Sequence, residues 1–176
     1  MEESPDKESV ADGLEKDLDK SSKSILQRPQ LKPLDPSSSL RPAGIVGVEL
    51  DLPNVYPILT LQEKDSPKRK ILMPIGMSEG IAIAHGLKNI ATPRPLTHEF
   101  FSEIMISFGV WLQRVSITSI VGHTYHGEVE LISGNISTVL SCRPSDAIAL
   151  ALRQRYPIPL YIDVDVLDQA GVISEE

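Results

Sequence analysis

The chain is short of cysteine, of long apolar runs and of positive charge. One cysteine, Cys142, stands in 176 residues. A single thiol excludes an internal disulfide framework and fits a reducing compartment. No apolar run approaches the roughly 18 residues that span a bilayer as a helix, although 41% of the residues are hydrophobic. The first residues are acidic and polar, without the charged-then-apolar order of a secretory signal. These absences predict a cytoplasmic protein with no membrane partner. Basic charge is also scarce: 17 Lys and Arg face 24 Asp and Glu, a formal net charge of −7. Residues 1–40 hold 9 acidic and 6 basic side chains, and residues 41–176 hold 15 and 11. Neither part has the excess of a protein that grips nucleic acid through many phosphates. Such a role would need a local basic patch or a metal ion.

What is present is uneven along the chain. Residues 1–40 are rich in Ser, Asp, Glu, Lys and Pro and contain no aromatic residue. They cannot bury enough apolar surface to offset the entropy of ordering. The expectation is a disordered polar tail over residues 1–43, with a weak helical pattern at 10–18, and one folded domain over 44–176. That domain states one phrase twice. Ser78-Glu79-Gly80-Ile81-Ala82-Ile83-Ala84 returns as Ser145-Asp146-Ala147-Ile148-Ala149-Leu150-Ala151, identical at four of seven positions. Each copy is followed by Pro-x-Pro-Leu, at Pro93-Arg94-Pro95-Leu96 and Pro157-Ile158-Pro159-Leu160, and then by a glycine, Gly109 or Gly171. A period of about 60 to 70 residues exceeds the roughly 20–50 of a solenoid unit. It reads as a duplicated half-domain, with halves near residues 45–109 and 112–171.

Period-two alternation and turn residues place strands at 46–50, 56–61, 71–75, 114–120, 125–132 and 137–142. Pro53-Asn54 marks a turn, and Gly134-Asn135 supplies a hairpin turn. Helices are expected from Ser78 to about Lys88 and from Ser145 to about Arg155, with each serine as N-cap and Glu79 or Asp146 set against the helix dipole. Both are apolar nearly all round, which predicts burial. A third helix follows Leu96. Thr97 caps it, Leu96 and Phe101 form a staple, and Gly109 stops it. Phe100, Phe101, Ile104, Met105 and Phe108 make one apolar stripe. A shorter helix is expected after the second Pro-x-Pro-Leu. The fold class is α+β: about three strands, a central helix and a shorter helix in each half, with mixed or antiparallel sheets around two apolar helices. Strand edges and the two-half plan point to a homodimer or higher homo-oligomer.

Pro93-Arg94-Pro95-Leu96-Thr97-His98-Glu99 and Arg143-Pro144-Ser145-Asp146-Ala147-Ile148-Ala149-Leu150-Ala151-Leu152-Arg153 together resemble the bifunctional nuclease family, a group of bacterial and plant proteins. The closing Val166-Leu167-Asp168-Gln169-Ala170-Gly171 fits it too, and the resemblance runs from about Ile45 to Val172. It implies a compact α+β domain that cleaves DNA and RNA. The chain departs from the family pattern in three places. Glu99 stands where Asp is usual, Pro74 where an aromatic residue is usual, and His123-Thr124-Tyr125-His126 where Gly-Thr-Phe-Tyr is usual.

Hydrolysis of a phosphodiester needs an activated water and cationic groups on the phosphate oxygens. His98 is the candidate general base, since a histidine in a first helical turn gains nothing from the dipole. Glu99 and Asp146 are the candidate catalytic carboxylates and the candidate ligands of Mg²⁺ or Mn²⁺, hard ions that prefer oxygen. Arg94 and Arg143 are candidate phosphate ligands, and Lys68 and Arg69 belong to the one compact basic run. Each has a plainer reading. Glu79, Glu99 and Asp146 all lie where a first-turn carboxylate stabilises a helix. Arg94 and Arg143 suit structural ion pairs, and Lys68 and Arg69 suit a solvated turn. His123 and His126 lack a third partner for zinc, and Cys142 reads as a packing residue. The rival to a metal-assisted nuclease of low sequence specificity is a non-enzymatic regulatory or binding module. Convergence of His98, Glu99, Asp146 and the arginines on one cleft separates the two.

Overall fold

Among the described residues, alternating apolar side chains build seven strands, and all seven join one sheet. The computed structural model describes residues 30–50, 53 and 55–173. The expected helical pattern at 10–18 lies outside them, as does Asn54 of the expected turn. The strands are β1 (Leu40–Glu49), β2 (Ile58–Glu63), β3 (Lys70–Pro74), β4 (Trp111–Val121), β5 (Thr124–Ser133), β6 (Ile136–Cys142) and β7 (Leu160–Asp163). Among the described residues four helices accompany them: α1 (Met77–Leu87), α2 (Thr97–Ser107), α3 (Pro144–Ala151) and α4 (Val164–Ala170). The sheet order is β3-β2-β1-β7-β4-β5-β6. Every neighbouring pair is antiparallel except β4 with β7. The class is α+β, with a single mixed sheet.

Two three-strand meanders, β1-β2-β3 and β4-β5-β6, are each followed by a helix, α1 and α3. They part company after their Pro-x-Pro-Leu. The first leads into α2; the second leads into β7, a strand absent from the sequence reading. Four residues are too few to show a period, and Leu160-Tyr161-Ile162-Asp163 follows a proline-restrained stretch that already reads as extended. Only then comes α4, the shorter helix that was expected. β7 inserts between the meanders, pairing with β1 on one side and β4 on the other. Its partner explains a second difference. Leu40 to Ala43, assigned above to the polar tail, are the first residues of β1 and pair with Asp163 to Leu160.

One apolar core joins the sheet and the helices. α3 is buried at Pro144, Ser145 and every residue from Ala147 to Leu150, as its all-round apolarity requires. α1 differs: Gly80, Ile83 and Gly86 are buried, while Met77 and Ile81 are exposed. Its glycines are the reason it sits close. A Cβ on Gly86 would lie 2.7 Å from the Cβ of Leu152, and one on Gly80 would lie 2.8 Å from Pro57 Cγ. The C-terminal segment is fastened to the far edge. Lys70 and Val172 exchange backbone hydrogen bonds of 2.8 Å, and Arg69 donates to Glu63 at 3.0 and 3.1 Å and to Asp168 of α4. No helix among the described residues is long and apolar enough to cross a membrane.

Candidate functional site

Three helices begin beside one another. α1, α2 and α3 start at Met77, Thr97 and Pro144, two residues earlier than capping by Ser78 or Ser145 would give and one earlier than capping by Thr97 would give. The actual N-caps are Gly76, Leu96 and Arg143, all extended, and none caps through its side chain. At α3 the cause is Pro144. Proline suits the first helical position because it has no N–H to leave unpaired there. The expected caps Ser78, Thr97 and Ser145 therefore lie inside their helices. Glu79, Glu99 and Asp146 all fall on the third helical residue.

Their surroundings send these three carboxylates different ways. A cavity of about 460 Å³ is lined by Ser78, Glu79, Ile81, Ala82, Leu96, Thr97, His98, Arg143 and Asp146. Arg143 bridges it. Its Nε donates to Asp146 Oδ2 at 2.6 Å and its Nη2 to Asp146 Oδ1 at 2.9 Å. The same Nη2 lies 2.8 Å from Glu79 Oε1. Asp146, with Glu79 behind it, holds the guanidinium pKa above its ordinary value. His98 Nε2 stands 3.6 Å from Asp146 Oδ1, a charge contact longer than a hydrogen bond. Gly76, without a side chain, leaves room for the Glu79 carboxylate.

Glu99 is elsewhere. It turns back to its own helix start, accepting from Leu96 N–H at 2.8 Å and from the Thr92 hydroxyl at 2.8 Å, and it pairs with Arg153 at 2.8 Å. The Leu96 N–H is the main cause that lowers its pKa, helped by Thr92 and Arg153 against the effect of burial. Glu99 and Asp146, the expected pair of metal ligands, are thus not brought together. Among the described residues no three His, Cys, Asp or Glu side chains are placed to hold a metal ion.

The remaining candidates divide likewise. Arg94 is exposed on the loop before α2 and does not line the cavity. Arg69 is committed to Glu63 and Asp168, and Lys68 is exposed in the β2–β3 turn; both lie at the end of β3 away from α1. Cys142 has a thiol pushed up by burial and by the charges of Asp146 and Glu128, so it stays protonated and unreactive. The β4–β5 hairpin was not a primary candidate. His123, Thr124 and Tyr125 line a second cavity of about 270 Å³, and Arg143 is a wall of both.

Sequence reasoning therefore brought His98, Asp146 and Arg143 to one place and took Glu99 where Glu79 stands. The signal for Glu79 was the repeat. Ser78-Glu79 and Ser145-Asp146 are the same phrase, and their carboxylates meet on one arginine.

Chemically, the cleft combines opposed fields. With His98 neutral, Glu79, Asp146 and Arg143 sum to one negative charge. Three helix N-termini each add roughly half a positive charge. The sum is close to neutral or slightly positive, and an anion entering here meets backbone N–H groups, an arginine and a histidine.

Comparison with known proteins agrees with the sequence motifs. A model of the bifunctional nuclease domain matches residues 59–175. A protein of Mycobacterium tuberculosis, described as uncharacterized and found in two strains, is 34% identical over 129 residues, covering 73% of this chain and 75% of its own length. Bifunctional nuclease 1 of Oryza sativa is 33% identical over 93 residues, half of this chain but 28% of the rice protein. The matched span, well over half of the chain, makes this chain a member of the bifunctional nuclease domain family.

Proposed function

We propose that this chain is a nuclease-like protein that hydrolyses phosphodiester bonds in DNA and RNA with little sequence preference, at the cleft between the starts of α1, α2 and α3. One observation carries the reading: three helix N-termini, Arg143 and His98 line a single cavity. Each of these favours a phosphate. Family membership and the likeness to a rice bifunctional nuclease support the same substrate class. The work belongs in the cytoplasm, where a lone cysteine is at home.

In this reading the phosphate lies against the helix starts. Arg143 turns from Glu79 toward the phosphate oxygens, keeping its bond to Asp146. Asp146 faces His98 Nε2, which leaves Nδ1 to take a proton from the attacking water; as the water oxygen bonds to phosphorus, the P–O bond opposite it breaks and the leaving oxygen takes a proton from solvent. The 3.6 Å approach puts a carboxylate beside the imidazolium that this step forms. Mg²⁺ or Mn²⁺ held by Glu79 and Asp146 would share their oxygens with Arg143 and would polarise the phosphate; no step here passes through a cation.

The test is cleavage of single-stranded DNA and RNA by highly purified protein, with Mg²⁺, with Mn²⁺ and with EDTA. His98→Ala, Arg143→Gln and Asp146→Asn, each shown to be folded, are run beside Glu99→Gln. Loss of a general base lowers rate by about 10²–10⁴-fold, so His98→Ala should fall by that order while Glu99→Gln retains activity. Equal cleavage by wild type and by His98→Ala would mark a contaminant and sink the proposal.

A second reading, an anion-binding module without turnover, has one observation in its favour. Arg143 is already held by two carboxylates. Binding of a labelled oligonucleotide that depends on Arg143, with no cleavage under any metal condition, would select it.

A further inference from the structure

The cleft has a neighbour. Arg143 is a wall of the cleft and of the cavity of about 270 Å³ between the β4–β5 hairpin and the starts of α1 and α3. One glycine brings the hairpin there. A Cβ on Gly127 would lie 3.2 Å from the backbone of Pro144 and 3.3 Å from the Cys142 carbonyl oxygen. β5 therefore rests against the start of α3 because residue 127 has no side chain. Tyr125 stands two residues earlier on the same strand, so it shares the face of Gly127 and lines the second cavity. Among the described residues its hydroxyl has no hydrogen-bond partner. Burial holds its pKa above the ordinary value, so it stays protonated and able to donate to a ligand. No Phe, no Trp and no other Tyr among the described residues lines either cavity.

We propose that this second cavity takes the unpaired nucleobase next to the bound phosphate, stacked on Tyr125, and that the chain therefore acts on single strands. The inference rests on the reading of the cleft as a phosphate site and adds a subsite to it. Connectivity supports it. In a nucleic-acid strand one sugar joins each phosphate to its base, and here one residue, Arg143, joins the two cavities. Size agrees. At roughly 30 Å³ per water in the liquid, a volume of about 270 Å³ has the room of about nine waters, enough for one nucleobase. A base inside a duplex has both faces covered by its neighbours in the stack, so only an unstacked one can lie on the ring.

Charge gives the ring its importance. The chain carries a net −7, and the cleft holds one arginine, so phosphate contacts alone grip a strand weakly. Stacking on an aromatic side chain does not depend on that charge, and it strengthens binding by about 5- to 150-fold per base. Pro74, Ile75 and Pro144 add apolar wall beside the ring. Every base has a π-face, so a stacking site accepts all of them. A subsite of this kind selects for single strands without selecting for sequence.

Calorimetry on the full chain tests it with two probes that have no diester to cut, inorganic phosphate and thymidine monophosphate. The nucleotide should bind about 5- to 150-fold more tightly than phosphate. Tyr125→Leu should bring the nucleotide down to the level of phosphate while leaving phosphate binding unchanged. Tyr125→Phe, which keeps the ring, should retain most of the gain. A short single strand carrying iodouracil should cross-link to Tyr125 under ultraviolet light, and a duplex of the same sequence should compete for the protein less well than the single strand. If Tyr125→Leu does not fold, the cross-link decides alone. Phosphate binding that is lost in Arg143→Gln, with no gain from the nucleoside, overturns this subsite and leaves the cleft standing. Phosphate binding that is absent, or unchanged in Arg143→Gln, overturns the cleft reading and the subsite with it. A cross-link on another ring, or equal competition by the duplex, also overturns the proposal.

Discussion

Glu79, Glu99 and Asp146 occupy the same third position of three helices, and their neighbours give them different work. Glu99 accepts the N–H of its own N-cap and pairs with Arg153, so its work is to hold α2 in place. Glu99→Gln should cost about 1–2 kcal/mol at neutral pH, the worth of a cap with a charged acceptor, as read by urea unfolding. Its folded pKa lies below the unfolded value, so as pH falls the unfolded chain takes up the proton first. The stabilisation is full above about pH 4.3 and is lost as pH drops through the lower folded value. The stability difference between wild type and Glu99→Gln should therefore shrink as the solution is acidified below that point; a gap that stays constant would place the effect in packing. Glu63, lowered chiefly by its hydrogen bond from Arg69, adds to the acid sensitivity of both proteins alike. Asp146 is the contrast. It accepts from Arg143, whose side chain is 67% exposed, and exposed ion pairs contribute little. Asp146→Asn should leave the urea midpoint nearly unchanged while cleavage falls.

Among the elements, α1 decides whether the cleft closes correctly, and a glycine decides where α1 sits. Gly86→Ala gains about 1 kcal/mol in helix propensity but forces its new Cβ onto Leu152, 2.7 Å away. Overpacking costs about 1–3 kcal/mol, so the crowding should win and the variant should be less stable. Adding Leu152→Ala should recover part of the loss that Gly86→Ala causes, a coupling that a double-mutant cycle measures directly. Strands and helices with a clear period were legible in the sequence. So was the stop of α2: Gly109 has φ +65°, a conformation that glycine adopts freely. What the chain hid was of two kinds. Helix starts shifted by one residue at α2 and by two at α1 and α3, where Gly76 and Pro144 serve the backbone better than a serine cap serves it. β7 was invisible because its identity is tertiary: Ile162 is a strand residue only once β1 and β4 stand on either side. The candidate site followed the same rule. His98, Arg143 and Asp146 were named from residue type, but the choice of Glu79 over Glu99 depends on which helix start faces which.

For the whole molecule, β7 is the piece that makes one domain of two meanders. Ile162 is fully buried in it, and Ile162→Ala should cost about 2–5 kcal/mol. Ile136→Ala on edge strand β6, 69% exposed, should stay within about 0.5 kcal/mol; chemical denaturation of both variants checks the pair. The acidic surface sets a second expectation at this scale. With a net charge of −7 and few cations at the cleft, oligonucleotide binding should weaken with salt no more steeply than a slope of about −2 in log K against log salt. A slope near that of a many-phosphate binder would mean that another basic surface takes part. The position of β7 also sets a schedule. Ser39 meets Asp163 across 124 residues of chain, so the middle of the sheet is the last strand to be made. During synthesis both meanders emerge first, each with an open inner edge, and nothing joins them until Asp163 is in place. A chain cut short before residue 160 would keep most of its mass and all of its cleft residues, yet leave two unpaired edges facing solvent, the condition in which strands recruit other chains. For this fold, completeness of the message matters to solubility as much as any single side chain does.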